Sequence, residues 1–294
     1  MRLEAGRILV LGTGYVASAY LRALHYLGMR PRVLSRSWLD YTTEAELDQY
    51  LLHDRPQLVI NAAGYSGQTI DDCESNKQET YSGLVALPRM LGSLCAHRGI
   101  WVIHVSSGCI FDGPGPYTEE DAPNNIGQFY SQCKIHAERE LAETKARAWV
   151  FRIRMPFSHH RHPRNLLQKL AAYERILDGL NSVTFLDEFA MRSFHLVQKA
   201  PPGVYNAACS VPVHTAQVAR MLFDAGIRRK AVELFPERDF LAAGHVRRST
   251  TILDVSKFEK AYGAPFGDPL VSLKWCIDHF GVANSSKAVE PLPQ

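Results

Sequence analysis

An apolar run, Arg7–Leu11, leads without a break into Gly12-Thr13-Gly14-Tyr15-Val16-Ala17 and then into a helical pattern. A glycine motif alone is weak evidence; between the first strand and first helix of an alternating series it gains force. Gly12 permits the tight turn, Gly14 lets a pyrophosphate approach the backbone, and Ala17 lets helix and strand pack closely. The helix N-terminus adds free N–H groups and the positive end of its dipole. Gly12, Thr13, Gly14, Tyr15 and Val16 are therefore candidate cofactor contacts.

Short β-branched runs alternate with helical patterns through the first half, which argues for βαβ units and a parallel sheet. Strands are predicted at Arg7–Leu11, Arg32–Ser35, Leu58–Asn61, Trp101–Ser106 and Trp149–Arg152, and helices at Tyr15–Leu27, Thr43–His53, Thr80–His97 and Gln128–Thr144. Right-handed crossovers make this a doubly wound α/β sheet of the Rossmann kind. Past Pro156 the rhythm changes. A His-rich loop, His159-His160-Arg161-His162-Pro163-Arg164, precedes an amphipathic stretch Asn165–Leu177. Shorter elements follow at Val204–Ala207, Ala216–Ala225 and Leu270–Phe280. Residues 1–156 read as a nucleotide-binding domain and 157–283 as a small C-terminal substrate lobe interleaved with the last sheet strand. Residues 284–294 read as a disordered tail.

A formal charge of +3, with scattered basic residues, is too small for a nucleic-acid stripe. The longest apolar runs, such as Ile100–Val105, fall far short of a membrane span. Met1 to Gly6 carries no leader pattern. The six cysteines have no CxxC pairing, so they read as reduced thiols of a cytoplasmic protein. The adjacent histidines of the 159–162 loop are too close for a tetrahedral site and no carboxylate follows at helical spacing, so no metal is expected.

An NAD site usually ends its second strand with an acid that holds the ribose 2′-OH. Here that region reads Val33-Leu34-Ser35-Arg36-Ser37, with no acid before Asp40. The Arg36 guanidinium suits a 2′-phosphate, which favours NADP(H); the alternative is a solvated surface arginine. Asn61-Ala62-Ala63-Gly64 ends the next buried strand with small residues, against which the cofactor's adenosine side would lie.

Tyr130 and Lys134 form a YxxxK pair in a helical stretch, which places both on one helix face about 6 Å apart along the axis. A phenol of ordinary pKa is a poor proton donor and a poor base at neutral pH. A neighbouring ammonium and the cofactor's positive ring are expected to lower that pKa. Lys134 would also hold the nicotinamide ribose. Ser107, ending the strand before Gly108-Cys109-Ile110-Phe111, is placed to polarise a keto oxygen that Tyr130 protonates.

This ordered set resembles the extended short-chain dehydrogenase/reductases, and within them the dTDP-4-dehydrorhamnose reductase group. A closer similarity is to the bifunctional enzymes that convert UDP-4-keto-6-deoxy-glucose to UDP-rhamnose. The resembling segments are Asn61–Gly64, Asp72-Cys-Glu-Ser75, Gly108–Phe111, Glu119-Glu-Asp-Ala-Pro123 and Phe129-Tyr-Ser131. They continue with Arg152-Ile-Arg-Met-Pro156, Pro163-Arg-Asn165 and Leu186-Asp-Glu188. Asn206 and Arg247–Asp254 extend the likeness more weakly. The resemblance implies that Cys109 and Lys169 exchange protons at sugar C3 and C5, carbons acidified by the C4 ketone. It implies NADPH as hydride source, Met155 as a cofactor neighbour, and Gln68, Ser107, Arg154, Asn165 and Arg192 as substrate contacts. The 159–164 loop, with Arg164, would cover the substrate's diphosphate, and a homodimer is the default assembly.

Two departures stand out: the phosphate loop is one residue shorter than the family's usual GxxGxxG, and Leu84 stands where many members carry an asparagine. Three readings follow: a bifunctional 3,5-epimerase/4-reductase on a UDP- or dTDP-linked 4-keto-6-deoxy-hexose, a 4-keto reductase without epimerase activity, and a catalytically silent NADP-binding regulatory subunit.

Overall fold

The computed structural model describes residues 3–281 apart from 66 and 68. The proposed tail and the substrate candidate Gln68 lie outside the described residues. A six-stranded parallel sheet forms the centre. Its strands are β1 (Ile8–Leu11), β2 (Arg32–Leu34), β3 (Leu58–Asn61), β4 (Trp101–Ser107), β5 (Ala148–Ile153) and a sixth, Gly203–Ala207. Across the sheet they run sixth strand, β5, β4, β3, β1, β2. The chain therefore steps outward from β1 to β2 and then crosses back to β3. That reversal opens a crevice at the carboxyl ends of β1 and β3, where ligands of such sheets bind.

Period-two alternation on buried strands explains the layers. Leu9, Leu11, Val59 and Val102 face one way, covered by α2 (Glu44–Asp54) through Leu47 and Leu51 and by the helix Leu87–Arg98 through Leu91 and Cys95. Ile8, Val10, Ile60, Ile103 and Phe151 face the other way, onto α1 (Tyr15–Tyr26) and the helix Leu186–Leu196. A second core gathers Phe157, Leu167, Phe185, Val218, Leu222 and Leu273 beneath the helices Leu166–Ala172, Thr215–Asp224 and Pro269–Asp278. Helix Leu186–Leu196 and strand Gly203–Ala207 return to the sheet, so the C-terminal half contributes to both cores.

Two expected helices differ. The single helix predicted over Thr80–His97 starts earlier, at Lys77, and carries a π-helical insertion at Ser82–Ala86. Pro88 has no N–H to offer the carbonyl four residues back, so the regular ladder cannot pass through this point. Gly83 also lies so close to Tyr65 N that an added Cβ would sit 2.8 Å from it. The stretch Asn165–Leu177 is helical only over Leu166–Ala172; Arg175–Ile176 instead pairs with Glu233–Leu234.

The turn after β1 rests on one glycine. Gly12 has φ +94, donates to Leu34 O at 2.9 Å, and an added Cβ would meet Ala63 Cα at 3.1 Å and Ala62 O at 3.3 Å. Backbone on both sides cannot yield cheaply. Gly12→Ala is expected to cost about 1–3 kcal/mol in urea denaturation; an unchanged midpoint would show that the turn is not under this constraint.

Candidate active site

The carboxyl ends of β4 and β5 and the first turns of α6 (Phe129–Glu143) converge on one point. Ser107, the last residue of β4, accepts a hydrogen bond from Cys109 N at 3.1 Å and bonds the Tyr130 side chain. Lys134, one turn along α6, is buried and donates from Nζ to Val105 O at 3.1 Å. The sequence pattern thus becomes one cluster, with Ser107 touching both Tyr130 and the Cys109 backbone.

The turn that carries Cys109 is fixed from below. Its carbonyl accepts from Asn125 Nδ2 and from Ser131 Oγ, each at 2.8 Å. Helix α6 is anchored by Glu74, whose carboxylate accepts from Phe129 N at 2.7 Å. It is held further by Glu138, which pairs with buried Arg152 at 2.7 Å and accepts from Ser106 Oγ at 2.5 Å.

Arg154 occupies a different place from the one expected. It is buried at 5% exposure, and its guanidinium is spent on the protein: Nη1 to Cys109 Sγ at 2.6 Å and Ser249 Oγ at 3.1 Å, Nη2 to Asn181 Oδ1 at 2.7 Å and to the Ser249 carbonyl. Few donors are left for a substrate. Arg154 instead acts on the thiol. Burial alone would raise the Cys109 pKa, but Arg154, Ser107 and Ser249 outweigh it and bring it below the usual thiol value. The buried thiols Cys95, Cys209 and Cys276, by contrast, are all pushed up by burial.

The protein's own groups move Tyr130 upward. Burial, followed by the charge of Cys109, raises its pKa, and the Ser107 hydrogen bond only partly offsets this. The protein's own groups keep the phenol protonated. Burial brings Lys134 down to about 8, although Glu138 and Cys109 favour its charged form. Facing this cluster, Lys169 on the helix Leu166–Ala172 is lowered by burial and then by Arg164 and Arg248, while Cys109 pushes it up. Cys109 and Lys169 are thus close enough to feel each other's charge.

Asn165 and Arg192 are not brought to the site. Asn165 is fully buried, accepts from Leu167 N and donates to Ser158 O and His160 O at 2.7 Å each, so its amide staples the loop. Arg192 pairs with Glu188 at 2.8 Å and donates to Ala264 O and Pro265 O, at the outer side of its helix. Asn181, Ser249, Arg248 and Asp71 were missed from sequence. Asp71 is pushed up by burial but held down to about 2 by Arg248, Val246 N and His245, so it ties the 245–248 segment over the site.

At the switch point, α1 begins at Gly14 with no side-chain cap, and a Cβ built on Gly14 would meet nothing within 4 Å. Open space above uncapped N–H groups suits a diphosphate. Thr13 is exposed there and Val16 half-buried, while the Tyr15 ring turns away to donate to Ser158 Oγ at 3.0 Å. Arg36 is exposed just beyond the end of β2. Asn61 is buried and bonded to His104 Nδ1 at 3.1 Å, leaving Ala62, Ala63 and Gly64 as the open strand end. Met155 follows β5 at φ +40, a strained value for its type, and packs against the second core. These groups fit a phosphorylated dinucleotide across the switch point.

A family model described as RmlD substrate binding domain matches residues 6–281. Over 162 residues the chain is 38% identical to the bifunctional dTDP-4-dehydrorhamnose 3,5-epimerase/dTDP-4-dehydrorhamnose reductase of Arabidopsis thaliana, covering 52% of this chain and 54% of that one. It is 30% identical over 160 residues to the dTDP-4-dehydrorhamnose reductase of Mycobacterium tuberculosis, covering 49% and 50%. The chain spans about half the length of these curated relatives. Among solved structures, the UDP-rhamnose synthase of Acanthamoeba polyphaga mimivirus superposes with TM-score 0.83 at 22% identity, over 93% of this chain and 99% of that one. The dTDP-4-dehydrorhamnose reductase of Bacillus anthracis, in complex with NADP, gives 0.81 at 17% identity, over 95% and 99%. At such identities the likeness is one of fold.

The thiol chemistry can be read directly. Iodoacetamide at neutral pH is expected to alkylate Cys109 well ahead of the other cysteines. Arg154→Gln is expected to slow that reaction several-fold, because the cation that opposes the burial of the thiol has gone. Equal rates in the two proteins would remove Arg154 from this role.

Proposed function

The chain belongs to the RmlD substrate binding domain family, and on that premise we propose that it is a nucleotide-sugar 4-ketoreductase that first epimerises its substrate at C3 and C5. The substrate class is a UDP-linked 4-keto-6-deoxy-hexose, with the dTDP-linked sugar chemically equivalent at the reacting carbons. The observation that carries the reading is the guanidinium-held thiol of Cys109, two residues beyond Ser107 and beside the Tyr130 phenol.

NADPH, when bound, supplies the hydride for C4. The glycine turn and the uncapped start of α1 would hold its diphosphate, and Arg36 its 2′-phosphate. Ser107 orients the C4 oxygen by hydrogen bonding, and Tyr130, kept protonated by its surroundings, donates the proton that oxygen requires. Lys134 keeps a positive charge near the carbonyl. Cys109, poised as a thiolate, takes the proton from a carbon next to the ketone, and Lys169 across the pocket returns one on the opposite face. Arg164 and Arg248, the cations that depress Lys169, form a basic rim suited to the nucleotide's diphosphate. The paired thiol and lysine favour this reading over a reductase alone.

The protein incubated with UDP-4-keto-6-deoxy-glucose in deuterated buffer is expected to place deuterium at C3 and C5, and to consume NADPH when it is supplied. Cys109→Ser should abolish exchange yet still reduce the pre-epimerised sugar; equal loss of both activities would refute the division of labour. Absence of turnover with either sugar would sink the enzyme reading itself.

Tyr130→Phe should lower reduction about 100-fold or more. Lys134 carries its charge below about pH 8 and loses it above, because burial has depressed its pKa. Reduction of the pre-epimerised sugar is therefore expected to fall as pH rises through about 8; a rate that climbs through this range would contradict the role given to that charge.

A further inference from the structure

The first half of the 158–165 loop lies against α1, through Tyr15, and against the N-terminal turn of helix Leu186–Leu196, through Asp187. There His159, His160 and Asp187 each bring a ligating atom within 4.8 Å of the other two. Three of their atoms, His159 Nδ1, His160 Nε2 and Asp187 Oδ2, are buried from solvent and have no hydrogen-bond partner. Single buried polar atoms without partners are uncommon, and each costs about 1–3 kcal/mol. Three that converge call for a shared partner.

We propose that this cluster is a binding site for a divalent transition-metal cation, zinc being the best match to two imidazoles and one carboxylate.

Sequence spacing hid the site because the carboxylate lies 27 residues past His160, on another element. Adjacent histidines reach one point because they offer different nitrogens: the rings lie 3.8 Å apart at 40°, one free at Nδ1 and the other at Nε2. Burial favours the neutral form of both rings, so a lone pair stands ready on each. The Asp187 carboxylate is already oriented, since Arg22 takes only Oδ1, at 2.8 Å from Nε and 2.5 Å from Nη2. Oδ2 faces His159 Nδ1 at 3.8 Å, too far for a hydrogen bond. Zinc–ligand bonds of about 2.0–2.1 Å set tetrahedral donors about 3.3 Å apart, so the cluster need close by only about 0.5–1.5 Å.

The backbone beneath is rigid in the way a metal site requires. Asn165 Nδ2 holds the carbonyls of Ser158 and His160, Gly281 N donates to His159 O at 2.9 Å, and the Trp275 ring edge abuts His159 at 4.9 Å. The surrounding ionisable groups are Arg22 on Asp187, the His279 ring beyond His159, and the Tyr15 phenol and Cys276 thiol near Asp187, both kept protonated by burial, so the site takes a cation through its one carboxylate and two neutral rings. A fourth position is left for water. The bound ion would join the loop to helix Leu186–Leu196, bracing the segment that carries Arg164. This inference is independent of the sugar chemistry.

The test uses the whole protein, stripped with a chelator and titrated with zinc chloride or cobalt chloride alone. One zinc per chain should survive dialysis, and cobalt should give the visible absorption of a four-coordinate site. His160→Ala, which removes an orphaned buried nitrogen and so should fold, is expected to weaken binding at least tenfold. Asp187→Asn, which keeps an oxygen for Arg22, should do the same. Cys109→Ser should bind as the wild type does. No binding by the wild type, equal binding by all proteins, or loss confined to Cys109→Ser would each overturn the proposal.

Discussion

A buried guanidinium organises this molecule. Arg154 leaves the end of β5 with almost no exposure to water, and a cation so placed is tolerated only when its donors are matched. The partners come from far apart in the chain: Cys109 after β4, Asn181 in the lobe, and Ser249 in the late segment that folds back over the site. One side chain thus fastens the lobe to the sheet and makes the thiol more acidic. Neither function is separable from the other. Removing the cation would take the charged donor from Asn181 Oδ1, which would keep only Thr251 N, and from Ser249, and would leave the burial of Cys109 opposed by Ser107 and Ser249 alone.

Around that point the sheet does simpler work. Parallel strands buried on both faces bring Ser107 and Arg154 to the same edge in register, since Ser107 pairs with Ile153 directly before it. The crossing from β2 back to β3 opens the neighbouring crevice, and Gly12 lets the chain turn there without a side chain between β1 and Ala63. A second buried ion pair, Glu138 with Arg152, fixes α6 against β4 and β5 and so sets where Tyr130 and Lys134 stand. Arg152 in β5 and Arg154 just past its end divide the work: one holds the helix that bears the phenol, the other holds the thiol.

The parts legible from sequence are those in which chemistry and period are local. The bounds of β3 agree with expectation, those of β1 and β4 differ by a residue at one end and those of α6 by a residue at each end, because alternation and the YxxxK spacing are short-range signals. Asn165 and Arg192 were misplaced because residue type and order do not reveal whether a side chain is already used by its own backbone neighbourhood. The π insertion at Ser82–Ala86 was invisible to a helical period, though Pro88 and Gly83 marked where the ladder had to break. Arg154 lay within a resembling segment, yet its partners at 181 and 249 carry no sequence signal that links them. Long-range polar matching decides its role, and only the fold supplies that.

The electrostatics of the site also impose an order on the proposed reaction. Burial, reinforced by a thiolate at Cys109, holds the Tyr130 phenol protonated, and the same thiolate favours the charged form of Lys134. A base that has just taken a proton from a sugar carbon no longer carries that negative charge. At that moment the phenol becomes the stronger acid, because the charge that resisted its ionisation has gone. Proton donation to the C4 oxygen is therefore easiest after the carbon acids have been dealt with, and hardest before. The coupling between the two residues, rather than the pKa of either alone, would make epimerisation precede reduction in a single pocket.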